Sequence, residues 1–280
     1  MMQAFKTYGS LVALLIAIGA CQKMDEPALG SYPEDAVSPG GTLSFYAAMD
    51  GTGSDALRNA VDSMRAMFPA SNSLTSVEGV SGKAMQGGTG TAIVYPSTND
   101  FVKATSITVS LWLKHTESGK TEFLYGLVDD TYSGWSHSGL FLMMEHGSPT
   151  EAVVKMGIMD QWMEWPDSHK FPYPIMDGNW HHLAAAYDET TSKLSWYFDG
   201  EFVPDAPASA TDVKKDGAAR GPLNFTAAKK FIVGGWNKQG GADGPKDDWI
   251  NSFSGSIDQF RLYNAALTAD EIHDLFVNKQ

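Results

Sequence analysis

The most regular alternation of apolar and polar positions lies in residues 178–202, GNWHHLAAAYDETTSKLSWYFDGEF. Trp180, His182, Ala184 and Ala186 share one parity; His181, Leu183, Ala185 and Tyr187 share the other. Leu194, Trp196 and Phe198 then alternate with Ser195, Tyr197 and Asp199. A period of two is the mark of a strand with two different faces. The spacing therefore predicts two strands, joined by a turn at 188–193 and followed by a tight turn at Asp199-Gly200, where glycine accommodates positive φ.

The same reading predicts strands at 43–49, 82–86, 91–95, 106–114, 122–128, 140–145, 152–158, 230–235 and 253–264. In 106–114, Ile107, Val109, Leu111 and Leu113 oppose Thr108, Ser110, Trp112 and Lys114. Two segments read as helical. Leu57, Val61, Met64 and Phe68 recur at helical spacing, which predicts a short amphipathic helix over 55–68, packed on the core. At the C-terminus Thr268 and Glu271 form a capping-box pattern, with Leu267 and Ile272 as a hydrophobic staple. Segments 129–138, 160–174, 204–222 and 240–248 read as loops. The second carries prolines and two tryptophans, which argues against a strand interior.

Composition narrows the function classes. The net charge is −13, and removal of residues 1–20 makes it −14, because that segment contributes Lys6 and no acid. So acidic a surface disfavours nucleic acid and suits neutral sugars or divalent cations. The single cysteine, Cys21, leaves no intramolecular disulfide and no thiolate metal site. It follows Lys6 and an apolar run, 11–20, that is too short to span a membrane. The string Ile18-Gly19-Ala20-Cys21 resembles the lipobox of bacterial lipoproteins. The resemblance implies a signal peptide over 1–20, lipidation of Cys21 and a membrane anchor through it. The acidic residues Asp25 and Glu26 resemble the surface-export signal of Bacteroidetes lipoproteins, and 21–41 reads as a Pro/Gly-rich tether. The implied location is the cell envelope, on a surface-exposed outer-membrane lipoprotein.

Three strings carry a second resemblance. G-x-W-H-H-x-A…Y…L…Y-x-D-G in 178–200, FSGSIDQFRLYN in 253–264 and ALTADEI in 266–272 are similar to motifs of the LamG-like, concanavalin A-like lectin/glucanase superfamily. The implied fold for 42–280 is all-β: a two-sheet antiparallel jelly-roll sandwich with the two short helical segments above. Family members often hold a structural Ca²⁺ between the first and the closing strand. The matching positions here are Asp50 and Asp258, with Gln259 where a second Asp is common.

The fold carries many functions, so the residues must decide. No E-x-D-x-x-E glycosidase string, G-x-S-x-G elbow, P-loop or dinucleotide fingerprint is present. Glu145, Glu151 and Glu164 stand scattered in sequence, and no catalytic residue is assigned. His181 and His182 are adjacent on a strand and point to opposite faces, so they do not share a metal. Five tryptophans, Trp135, Trp162, Trp165, Trp236 and Trp249, lie in or beside loops near Asp160, Asp167, Asn237, Asp243 and Asp248. Aromatic faces with nearby carboxylates and amides suit sugar rings and their hydroxyls. The leading expectation is non-catalytic glycan binding. The alternatives are a glycoside hydrolase or lyase with an unrecognised site, and a structural or adhesion module that binds protein.

Overall fold

The structure, a computed structural model, describes residues 41–70, 72–129, 134–159 and 161–279. The signal peptide expected over 1–20, the expected lipidation at Cys21, the tether expected after it as far as residue 40, and Asp160 lie outside the described residues.

Among the described residues, seventeen strands build two sheets and one small hairpin. They are β1 (Leu43–Ala47), β2 (Thr75–Glu78), β3 (Lys83–Gln86), β4 (Ile93–Tyr95), β5 (Ile107–Thr116) and β6 (Thr121–Val128). Next come β7 (Ser138–Ser148), β8 (Glu151–Ile158), β9 (Gln161–Trp165), β10 (Asp177–Asp188), β11 (Lys193–Phe198) and β12 (Glu201–Phe202). The last are β13 (Lys214–Lys215), β14 (Ala218–Ala219), β15 (Lys230–Val233), β16 (Ile250–Ser252) and β17 (Ser256–Tyr263). The first sheet runs β12-β11-β10-β5-β17-β3-β2, with β1 also paired to β17. The second runs β4-β15-β6-β7-β8-β9. Its pairings are antiparallel except where β16 joins β6 in parallel. This is the jelly-roll sandwich expected.

The alternation explains the layering. Ile107, Val109, Leu111 and Leu113 of β5 and Leu183, Ala185 and Tyr187 of β10 enter the main core. Leu124, Leu127, Leu142, Val154 and Met156 meet them from the second sheet. Each Leu, Ile, Val or Met among them, once buried, contributes ~1.5–3 kcal/mol. The opposite parity of the first sheet is covered by helix α2 (Ala269–Asn278), which follows the four-residue α1 (Ala208–Thr211). The Thr268 hydroxyl accepts from Glu271 N, and Glu271 Oε2 accepts from Thr268 N, completing the capping box. Ile272 is fully buried with Ala184, Ala186 and Tyr197, and Leu267 packs against the same group. Phe276 stacks on Trp112. At the β11–β12 turn Asp199 and Gly200 both have positive φ, as the two-residue hairpin requires.

Two expected elements differ. Residues 55–68 form turns and bridges rather than a helix: Ser63 takes φ of 60°, and Asn59 pairs with Met64. The Asn59 side chain accepts from Tyr46 N and Val61 N, a local alternative to helical hydrogen bonds. The apolar stripe still packs inward, with Leu57 buried and Met64 and Phe68 against the core. The second difference is β9. Residues 161–165 are a strand because the prolines all follow it, at 166, 172 and 174. Trp162 and Glu164 point away from the core; Met163 and Trp165 point into it.

Candidate functional site

On the outer face of the second sheet the strands carry a separate layer of rings. Gly126, Phe141, Gly157 and Trp162 oppose one another across β6, β7, β8 and β9. The two glycines make room for the aromatics. A Cβ at Gly157 would lie 2.0 Å from Phe141 Cε1, and one at Gly126 2.4 Å from Trp236 Cδ1. Trp236 stacks on Phe123 with centroids 4.2 Å apart and planes 7° apart. Its Nε1 donates to Ser138 Oγ, which in turn donates to Asn237 Oδ1. Asn237 Nδ2 donates to the carbonyls of Ser136 and Asp243, tying two loops together over the sheet. The result is a buried, hydrogen-bonded floor.

Three indoles stand on that floor. Trp162, Trp135 and Trp249 are 40 %, 47 % and 44 % exposed. Trp135 is central: it lies 5.8 Å from Trp162 and 5.7 Å from Trp249, and packs on Trp236 at 5.4 Å. Trp162 stands edge-on to Phe141. A hollow of about 480 Å³ is lined by these three rings with Met143, Glu145, Lys155 and Glu164. Lys155 Nζ sits 3.0 Å from Glu145 and 3.6 Å from Glu164. A second hollow of about 290 Å³ shares Trp135 and Trp162 and adds Gly134, Ser136, Phe141, Met159 and Gln161.

Of the five tryptophans singled out in the sequence, three therefore converge and two do not present a surface. Trp165 is fully buried in β9, edge-on to Phe171. Trp236 is fully buried beneath Trp135. Both correct the expectation that they offer open faces: strand parity turns one inward and the Asn237-tied loop covers the other. Asn237 is a buried loop tie, and Asp167 is an exposed partner of His146. Sequence reasoning saw Glu145 and Glu164 only as scattered carboxylates and missed Lys155, which joins them. Lys155 opposes both Met143 and Glu164, so register, not spacing, assembles them. The parity of 141, 143 and 145, and of 162 and 164, was the available signal.

Asp50 and Asp258 both brace the loop 79–83. Asp50 Oδ1 accepts from Lys83 N, and Asp258 Oδ2 accepts from Val80 N and Ser81 N. Gly79 and Gly82 pack so close that a Cβ on either would lie 2.4 Å from a carboxylate oxygen. Asp258 is fully buried and its Oδ1 has no hydrogen-bond partner among the described residues. Burial, with the nearby Asp50 charge, pushes its pKa up to about 7 against the pull of the loop amides. Among the described residues no group of three or more His, Cys, Asp or Glu is placed to hold a metal.

The two histidines of β10 part company. His182 is buried, bonded to Ser110 Oγ, and burial pushes its pKa down to about 3. His181 lies between Asp199 and Asp177 at 2.9 and 3.1 Å. Burial alone would lower its pKa, but the two carboxylates outweigh that and raise it.

The family model described as the concanavalin A-like lectin/glucanases superfamily matches residues 87–273. Domain 4 of AbnA, a GH43 extracellular arabinanase from Geobacillus stearothermophilus solved with arabinotriose, superposes with a TM-score of 0.53 at 18 % identity. The match covers 84 % of this chain and 98 % of that one. The botulinum neurotoxin serotype D binding domain superposes with a TM-score of 0.55 at 12 % identity, over 85 % of this chain and 52 % of its own. A botulinum neurotoxin type C structure, described as depending on two ganglioside molecules for cell entry, gives 0.54 at 12 %, over 85 % of this chain and 51 % of its own. This chain thus spans about half of either toxin chain. At these identities the likeness is one of fold. No curated protein sequence matches the chain.

Proposed function

We propose that this chain, which belongs to the concanavalin A-like lectin/glucanases superfamily, binds a glycan without cleaving it, on the face built by Trp135, Trp162 and Trp249. The observation that carries the reading is the convergence of three half-exposed indoles beside the Glu145–Lys155–Glu164 stripe. The indoles match the apolar C–H face of a sugar ring; the carboxylates accept from, and the ammonium donates to, its hydroxyls. The buried floor fixes the rings before ligand arrives, which reduces the ordering cost of binding. Neighbours of the same fold solved with arabinotriose or described with gangliosides agree with a sugar ligand. Calorimetry against the hits of a glycan array tests it: Trp162→Ala abolishes affinity with the fold intact. Retained affinity sinks the assignment.

One observation favours hydrolysis as the second reading: Glu145 and Glu164, far apart in sequence, meet on Lys155. Retaining and inverting glycosidases both work through a pair of carboxyl groups. Here an ammonium lies between the two, so they serve better as hydrogen-bond acceptors than as an acid and nucleophile. A product assay on every bound glycan separates the readings, since turnover lost in Glu164→Gln would establish an enzyme.

The proposal includes a structural Ca²⁺ at Asp50 and Asp258. Asp258 Oδ1, buried and without a partner among the described residues, lies near the Asp50 charge, and two carboxylates suit a hard cation, whose remaining ligands would be other oxygens. It also includes a lipid anchor at Cys21 on an outer-membrane, surface-exposed lipoprotein. Metabolic labelling with a fatty-acid analogue, lost in Cys21→Ser, tests the anchor.

A further inference from the structure

The arrangement of the indoles carries more than the presence of a sugar site. A pocket that recognises a chain end closes around one ring. Here the three indoles follow one another, Trp162, Trp135 and Trp249, with centroid separations of 5.8 and 5.7 Å. Each keeps 40–47 % of its surface open. Two hollows share Trp135 and Trp162, so this indole pair separates two neighbouring compartments rather than ending one.

The two compartments differ in chemistry. The larger holds Glu145, Lys155 and Glu164, which are all partly exposed. In the smaller, the polar side chains of Gln161 and Ser136 are already engaged among the described residues. Gln161 Nε2 donates to Asp212 O, and its Oε1 accepts from Lys214 N. Ser136 Oγ donates to Ser138 O. Among the described side chains lining it, what remains for a ligand is Trp135, Trp162 and Met159, which offer stacking and shape. Among the described residues, hydroxyl recognition therefore belongs to the larger compartment, and the smaller offers stacking and contact.

Charge selects the ligand further. Two carboxylates around one ammonium leave a net negative stripe on a chain of net charge −13, which repels uronate and sulfate groups. The Lys155 ammonium, within 3.6 Å of both carboxylates, occupies the place a cationic head group would need.

A third hollow, about 330 Å³ and lined by Lys120, Glu122, Lys238, Gln239 and Asn251 among others, does not extend the site. Lys238 Nζ and Gln239 Nε2 donate to the carbonyl of Ile250, and Asn251 Nδ2 to those of Thr121 and Trp249. Glu122 is buried against His115 at 3.1 Å. Asn251 ties β16 to β6, Lys238 and Gln239 tie it to the turn after Trp236, and Glu122 ties β6 to β5.

We infer that the Trp162–Trp135–Trp249 row is a linear site for the interior of an unbranched, neutral glycan. It engages at least two consecutive sugar residues, one by hydrogen bonds to Glu145, Lys155 and Glu164 and the next by stacking. This rests on the glycan reading above and deepens it. The test is calorimetry of the purified protein with neutral arabino-, xylo-, cello- and manno-oligosaccharides of one to six residues. The parent polysaccharides and polygalacturonate complete the probes. In the series that binds, Kd falls about tenfold (~1.4 kcal/mol) or more between the monosaccharide and the trisaccharide, then levels. The polysaccharide binds with a stoichiometry that counts internal segments, not chain ends. Polygalacturonate binds at least about tenfold more weakly. Trp135→Ala, at a half-exposed position that leaves folding intact, flattens the dependence on length. Glu164→Gln weakens every length while keeping the ratio between lengths.

A monosaccharide bound as tightly as the hexasaccharide overturns the inference but leaves the glycan reading standing. So does a polysaccharide titrating by its ends, or equal binding of polygalacturonate. Silence across all probes and a glycan array removes both.

Discussion

Gly157→Ala is the sharpest perturbation of the proposed platform that touches none of its exposed groups. The added Cβ would lie 2.0, 2.4 and 2.5 Å from Phe141 Cε1, Cζ and Cδ1. Ordinary carbon contacts begin near ~3.5 Å, so the ring must retreat by roughly 1.5 Å. It has little room. Phe141 is 2 % exposed and packs on Trp236 at 5.2 Å, Trp162 at 5.1 Å and Phe123 at 6.0 Å. Overpacking of this kind costs ~1–3 kcal/mol. For a domain of this size 2 kcal/mol lowers Tm by about 4–8 °C. The retreating ring also moves Trp162, so glycan affinity falls although no ligand contact is substituted. Gly53→Ala is the control, since a Cβ there meets nothing within 4 Å. Thermal melts and calorimetry on the three proteins decide. A Gly157→Ala protein that matches Gly53→Ala in Tm and matches the parent in affinity refutes the account of how sheet glycines seat the rings.

Asp258, raised from 3.8 to about 7 in the fold, is stabilising when protonated; its contribution is full below pH 3.8 and lost as pH rises to about 7. At about 1.4 kcal/mol per pH unit this amounts to roughly 4 kcal/mol in chelator, and Asp258→Asn flattens that slope in urea titrations. If Ca²⁺ fits the site, adding it restores stability at pH 8 in the parent and not in Asp258→Asn. His181, raised by Asp199 and Asp177, contributes fully below pH 6.5 and loses its contribution as pH climbs through its higher folded value. His181→Gln removes that second, more alkaline slope, and an unchanged profile would show the pair of carboxylates to be ineffective. Trp165→Ala costs ~3–5 kcal/mol as a buried large-to-small change, whereas Trp162→Ala costs about 1 kcal/mol. Similar Tm losses for the two would contradict their assignment to core and surface.

The fold was legible wherever one strand face is buried and the other is not. The parity of β5 and β10 placed Leu111 and Leu183 in the core, and the capping box at Thr268 marked the start of α2. Helical spacing misled at 55–68 because Ser63 and Asn59 favour turns, yet the same apolar residues still reach the core. Proline content hid β9, since a window over 160–174 averages a strand with the turn that follows it. For the site, aromatic side chains beside loops were visible, but exposure was not. Trp165 is buried by parity and Trp236 by a loop tie made by Asn237, 99 residues from its Ser138 partner. Glu145, Lys155 and Glu164 meet only through the β7–β8–β9 register, which spacing within one strand does not encode.

The central claim is that the open face of the second sheet holds a glycan. Its most direct test is a side-by-side glycan array of the purified protein and its Trp135→Ala/Trp162→Ala variant, with Tm measured on both. The account predicts a neutral glycan bound by the parent, lost in the variant, and melting temperatures that stay close. A parent that binds nothing, or a variant that keeps every signal of the parent, contradicts it.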